Sequence, residues 1–152
     1  MTNQENISIY MAIRLSEERS HLEDSLVMDH YNVSTFGTAF DLWTRFQIRP
    51  VRFVITDRRF PTSDFSGLDL ARNIRRDFMM PYCYVVMLSS LSRLSEIQDG
   101  LDAGVDDYLT KPTNPFQIRS RILVGLRWLQ YIDKINSLND HANATDETAA
   151  AA

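Results

Sequence analysis

Short apolar runs alternate along this chain with stripes of apolar residues spaced three and four apart, and the alternation repeats five times. A run of that kind predicts a buried strand, and a stripe predicts a helix with one buried face. The first strand is expected over Ile7–Ile13. Ser16 is the expected N-cap of the helix after it, with Glu17 and Glu18 exposed in its first turn and Leu22 and Leu26 facing inward. Tyr31, Val33 and Thr35 alternate with polar residues as a half-exposed strand does. Ala39, Leu42, Trp43 and Phe46 stripe a second helix, which makes Trp43 a core residue rather than a ligand platform. Val51–Thr56 is the third strand, followed by a loop through Pro61, Ser63, Asp64, Ser66 and Gly67. Leu68, Ala71, Ile74 and Phe78 stripe a third helix, and Tyr82–Leu88 is the fourth strand. Leu94, Ile97 and Leu101 stripe a fourth helix closed by Gly104. Val105–Thr110 is the fifth strand. Asn114-Pro115 opens a fifth helix, which carries Ile118, Ile122, Leu126 and Leu129 and runs on to Ile135 or Leu138.

Crossovers of this length require parallel strands joined right-handed. The expected fold is therefore α/β: a doubly wound, five-stranded parallel sheet in the order 2-1-3-4-5, flavodoxin-like, with helices on both faces. Residues 1–130 are expected to form one domain and 131–138 a helical extension. Residues 139–152 have little to bury and are expected as a disordered tail.

Composition narrows the setting. The 44% hydrophobic content of a 152-residue chain supports a full core, and the net charge of −4 argues against direct nucleic-acid binding. The single cysteine, Cys83, lies in an apolar run and reads as a buried structural thiol, which fits a reducing cytoplasm. Residues 1–6 lack the basic start and apolar core of a signal peptide, and no apolar stretch reaches membrane-spanning length. His21 and His30 read as exposed helix residues. No His/Cys/Asp cluster has metal-ligand spacing, and no GxGxxG or GxxxxGK[ST] loop occurs. Arg119, Arg121 and Arg127 on the fifth helix read as a solvated face, or as partners for acids on another protein's surface.

Chemistry is expected at the carboxyl ends of the strands. Asp57 ends the third strand, Ser89 the fourth and Lys111 the fifth. Alone, Asp57 reads as a loop-capping acid, Ser89 as a strand-end residue and Lys111 as a surface charge. Together, a carboxylate nucleophile, a hydroxyl donor and an ammonium suit a phosphoryl group.

The chain here resembles the receiver domain of bacterial two-component response regulators, over roughly Ile7 to Leu129. The resemblance is carried by Val54-Ile55-Thr56-Asp57-Arg58-Arg59-Phe60-Pro61 with Gly67-Leu68, by Val85-Val86-Met87-Leu88-Ser89-Ser90, and by Leu101-Asp102-Ala103-Gly104-Val105-Asp106-Asp107-Tyr108-Leu109-Thr110-Lys111-Pro112. Lys111 follows Ser89 by 22 positions, as in the family. The resemblance implies that Asp57 accepts a phosphoryl group, forming an aspartyl phosphate. It also implies that Ser89 senses that group, Lys111 contacts it, and Tyr108 is an aromatic switch, a role compatible with simple packing against the fourth helix. Asp57 and the backbone carbonyl of Arg59 match metal-ligand positions, and Lys111-Pro112 matches a cis peptide. The implied partners are a histidine kinase or phosphotransfer protein and a downstream effector. A homodimer is implied through the face of the fourth helix, fifth strand and fifth helix, or through the extended fifth helix. Such a module is a switch in phosphorelay signal transduction and not a turnover enzyme; at most it phosphorylates and dephosphorylates itself.

Two features depart from the family. Its paired acids after the first strand, which hold Mg²⁺, are replaced here by Ile13 and Arg14, or with a one-residue slip by Arg14 and Leu15, so Mg²⁺ binding is expected to be weak. The loop after Asp57 is two residues longer than the usual pattern. Arg14, Arg58 and Arg59 gather near the Asp57 tip in sequence, which leaves two expectations open. Either Arg14 or Arg59 partly replaces the metal and Asp57 is phosphorylated, or Arg14 pairs with Asp57 and the chain is a phosphorylation-independent pseudo-receiver that scaffolds other proteins. A flavodoxin-like cofactor binder is disfavoured, because the first-strand loop has no Ser/Thr/Gly phosphate cradle.

Overall fold

The computed structural model describes residues 7–77 and 80–151. Its elements run β1 (Ser8–Ala12), α1 (Ser16–Met28), β2 (Asn32–Phe36), α2 (Ala39–Ile48), β3 (Phe53–Asp57), α3 (Gly67–Arg76), β4 (Tyr84–Ser89), α4 (Leu94–Asp102), β5 (Asp107–Thr110) and α5 (Pro115–Ala151). Phe78, expected on the third helix, and the N-terminal segment 1–6 lie outside the described residues. All strand pairs are parallel and the order is β2-β1-β3-β4-β5, as the alternation predicts.

The pleat sends successive residues to opposite faces. Tyr10, Ala12, Val54, Val85 and Met87 meet α2 and α3 through Leu42, Phe46, Leu70 and Ile74. Ile9, Met11, Ile13, Phe53, Ile55 and Val86 meet α1 and α5 through Leu22, Leu26, Ile118 and Ile122. Both faces of β1, β3 and β4 are thus covered, so these strands are almost continuously apolar. On the α5 side, Gly125 is a packing requirement, because a Cβ there would press into the Phe53 and Tyr84 rings.

Helix ends follow local chemistry with two departures from expectation. Ser16 is the first helical residue of α1, and Leu15 occupies the cap position without a side-chain bond. His30 is exposed but lies just beyond α1 in the left-handed region, at φ 68°, where the His30 and Tyr31 N–H groups bond back to the Val27 and Leu26 carbonyls. Ser66 and Asp69 form a reciprocal capping box on α3, and Asn114 and Gln117 exchange the same pair of bonds at the start of α5.

The chain beyond Asn139 differs from expectation. It forms no separate tail, and α5 continues unbroken for 37 residues to Ala151. Its last two turns and more are exposed and bury nothing. Alanine-rich composition supplies the helical preference there, and Thr145 and Thr148 satisfy themselves locally on the His141 and Ala144 carbonyls. Arg119 and Arg121 lie on the solvated face expected of them, and their acid partners are this chain's own rather than another protein's. They pair within the chain, Arg119 with Asp29 at 2.7 Å and Arg121 with Asp107 at 3.3 Å.

Candidate functional site

Parallel pairing sets the tips of β1, β3, β4 and β5 at one edge of the sheet, and the residues singled out in the sequence meet there. Register places Asp57 beside Leu88 and Ser89 beside Thr110, one residue before Lys111. The cleft they form has a volume of about 220 Å³ and includes Arg14, Glu18, Asp57, Arg59, Ser89 and Lys111 in its lining.

Asp57 is 2% exposed. Its Oδ2 accepts the backbone N–H of Arg14 at 2.8 Å, and its Oδ1 pairs with Lys111 Nζ at 2.5 Å. Burial raises the Asp57 carboxyl above its ordinary pKa, and Lys111 and the Arg14 N–H partly offset that rise. The position is fixed from behind. Arg58 N–H donates to the Leu88 carbonyl, and Gly67 N–H donates to the Arg58 carbonyl. Gly67 must lack a side chain, because a Cβ would overlap the Asp57 carbonyl oxygen.

Three residues depart from their expected places. The Arg14 guanidinium makes no ion pair among the described residues; its contribution to Asp57 is a backbone donor. Glu18, expected as an exposed first-turn residue, is only a quarter exposed and holds Lys111 Nζ at 3.1 Å. The cause is topological: α1 begins directly over the β1 tip, so its first turn overhangs the cleft. No spacing rule within α1 carries that signal. Arg58 is 6% exposed and turns away from Asp57 to α4, where Nη1 donates to the Glu96 carbonyl at 2.7 Å and Nη2 lies 3.4 Å from Asp99. Arg59 remains exposed at the cleft rim.

On the far wall, Ser89 is 6% exposed and its Oγ accepts the Leu91 N–H at 3.1 Å. The Leu91 carbonyl accepts the Tyr108 hydroxyl at 3.0 Å. One residue thus connects the hydroxyl at the β4 tip to the aromatic ring on β5. Tyr108 is half-buried and packs against Gly100 of α4 and the core around Met87. The Lys111-Pro112 peptide is cis. Cys83 is a buried free thiol whose pKa burial pushes up to about 12, so it carries no reactive role.

A divalent ion requires several hard oxygen ligands. The positions of the family's acids hold a fully buried Ile13 and an exposed Arg14. One Asp57 oxygen is committed to a backbone donor and the other faces an ammonium, while Glu18, the second carboxylate, is bound to the same ammonium. No cluster of three His, Cys, Asp or Glu among the described residues is arranged to hold a metal ion. The donor set does not fit Mg²⁺.

Residues 16–123 match the family model of the response regulator receiver domain. With that match and this fold, the chain belongs to the response regulator receiver family and is a receiver module of phosphorelay signalling. It is 34% identical over 106 residues to the transcriptional regulatory protein KdpE of Staphylococcus aureus, covering 69% of this chain and 44% of that protein. It is 31% identical over 109 residues to the probable transcriptional regulator ycf27 of Cyanophora paradoxa, covering 72% and 44%. The chain therefore spans less than half the length of these relatives. Among solved structures, the BeF3-activated DrrB receiver domain superposes with a TM-score of 0.70 at 27% identity, covering 80% of this chain and 97% of that one. A CheY-like receiver protein from Methanospirillum hungatei superposes with a TM-score of 0.75 over 82% and 97%, and at 20% identity that likeness concerns the fold. Receiver domains are signalling modules that typically bind Mg²⁺ at the phosphorylation site, so the donor set here is a departure within the family. No helix among the described residues is long and apolar enough to cross a membrane.

Proposed function

We propose that Asp57 is the phospho-acceptor of this receiver, charged by the phosphohistidine of a histidine kinase or phosphotransfer protein, with little dependence on Mg²⁺. The observation that carries the reading is a buried strand-tip carboxylate whose Oδ1 pairs with Lys111 at 2.5 Å in a cleft shared with Ser89. Oδ2 is anchored, so Oδ1 attacks phosphorus in line. The phosphorus–imidazole bond breaks, its electron pair stays on the nitrogen, and an oxygen–phosphorus bond forms. Lys111 transfers from Oδ1 to a phosphoryl oxygen, and Ser89 Oγ donates to another. Water attack on phosphorus later returns the carboxylate and inorganic phosphate.

Drawing Ser89 to the phosphoryl group releases the Leu91 N–H. The Leu91 peptide also holds Tyr108, so its movement reaches the surface formed by α4, β5 and α5. That surface is the proposed docking face for a downstream effector, and homodimers are a further proposed use of it. The receiver unit is proposed to span residues 1–130, with a helical extension beyond, and to act in the cytoplasm without direct contact with nucleic acid.

The lost acid pair favours a second reading, a pseudo-receiver that works unphosphorylated. Intact mass after incubation with acetyl phosphate or phosphoramidate, with Mg²⁺ or with EDTA, separates the two. The first reading expects an added phosphoryl group in both conditions that is absent in Asp57→Ala. Its absence in both conditions overturns that reading in favour of the second.

A further inference from the structure

Helix α4 is held to the body by little apolar burial. Gly100 is the one buried residue of its nine, while Leu94 is 85% and Leu101 49% exposed. So short a helix with an internal glycine is marginal by itself and depends on its ties to the body. Tyr108 of β5 packs on Gly100, and its hydroxyl reaches the Leu91 carbonyl in the turn before the helix. The described polar ties from the sheet to α4 itself come from Arg58, the residue after Asp57. The Arg58 backbone is fixed on both sides, its N–H on the Leu88 carbonyl and its carbonyl under the Gly67 N–H. Its side chain is buried. Nη1 donates to the Glu96 carbonyl, Nη2 faces Asp99, and Nε is buried with no partner among the described residues. Glu96 and Gly100 lie one turn apart on the same side of α4, so Arg58 and Tyr108 grip successive turns of one helix face.

We infer that Arg58 is a latch that fixes the resting position of α4, and with it the proposed effector face, by anchoring the helix to the tip of β3. An arginine stays charged at every working pH. A buried charge is tolerated only while it is paired. Outward movement of α4 takes away both partners at once and leaves a guanidinium whose Nε is already unpaired. Displacing the helix is therefore penalised from the strand tip that carries Asp57. The carbonyl bond supplies most of the hold, because it is short at 2.7 Å, whereas the Asp99 carboxylate is over half exposed and 3.4 Å away. The route through Ser89, Leu91 and Tyr108 ends before the helix and acts on phosphorylation. The latch acts in the unphosphorylated chain and does not rest on that reading.

Hydrogen exchange of the amides of residues 94–102, in the full chain without phosphodonor, reads the latch directly. Arg58→Met fills similar space without donors. It is expected to speed exchange there at least roughly tenfold and to leave β1 and β3 at wild-type rates. Arg58→Lys keeps the buried charge but offers one compact ammonium in place of the fork, so a rise of about threefold is expected. Asp99→Asn, at an exposed position, is expected to change exchange by less than about twofold. Circular dichroism reports folding, and the lysine variant decides alone if the methionine variant does not fold. The inference is overturned by wild-type exchange of α4 in Arg58→Lys, or by an acceleration that spreads equally to β1 and β3. It is also overturned if Asp99→Asn loosens α4 as much as the Arg58 variants do.

Discussion

The β4–β5 wall of the pocket and its β1–α1 wall reach the same carboxylate by different means. Lys111 does so with its side chain, and Ser89 lines the cleft on the same wall, both at the positions the receiver pattern prescribes. The opposite wall offers a main-chain N–H from Arg14 and, from a helix turn above, the Glu18 carboxylate tied to Lys111. The difference bears on charge balance. Three acids and one lysine would leave two negative charges around an incoming phosphoryl group, and a metal ion would have to neutralise them. Asp57, Glu18 and Lys111 leave one. Discarding the acid pair removes the ligands for Mg²⁺ together with much of the repulsion that Mg²⁺ offsets.

That contrast can be broken most severely at Lys111. Lys111→Met should cut the phosphoramidate-driven rate by roughly 100-fold or more, because the preorganised cation nearest the transferred group is lost. An unchanged rate by intact mass would assign the neutralising role to another residue. The opposite wall is sharpened by Arg14→Asp, which keeps the backbone donor and adds a carboxylate beside Asp57. Phosphorylation should then become Mg²⁺-dependent, by about tenfold between saturating Mg²⁺ and EDTA, whereas the wild type responds little. The smallest effect is on stability. The Asp57 pKa is raised in the folded state, so folding favours its protonated form. Its contribution is present below the ordinary carboxylate range and is lost as pH rises through the raised value. Asp57→Asn should therefore melt higher than wild type at pH 7, by about 2–4 °C for a gain near 1 kcal/mol, and the two should converge in acid. Asp106, also raised by burial, follows the same trend in both proteins and cancels in the difference. Thermal melts across pH that show a constant gap would remove Asp57 as the source.

Much of this was written in the sequence, for physical reasons. Strands such as Val54–Thr56 and Val85–Leu88 are buried on both faces and appear as apolar runs, while α2 and α5 bury one side and appear as stripes. The tips of β3, β4 and β5 follow directly, and so do Asp57, Ser89 and Lys111. Glu18 was not legible, because its role depends on where α1 starts above the sheet rather than on its neighbours in the chain. Arg58 was misleading: an arginine beside a reactive acid suggests electrostatic partnership, yet its long side chain is spent bridging to α4. The run from Asn139 has too little apolar content to indicate packing, and its helix is sustained by alanine propensity and local bonds instead.

The bond from the Arg14 N–H to Asp57 Oδ2 has a consequence for how such a pocket tolerates change. A main-chain donor is the same for every amino acid except proline, which has none. Residue 14 can drift among acids, bases and neutral side chains while the Asp57 carboxylate keeps its orientation. The electrostatics of the site are thereby separable from its geometry: one position can retune the need for a metal without disturbing the orientation of the carboxylate. Proline at that position is the single replacement that would undo both at once.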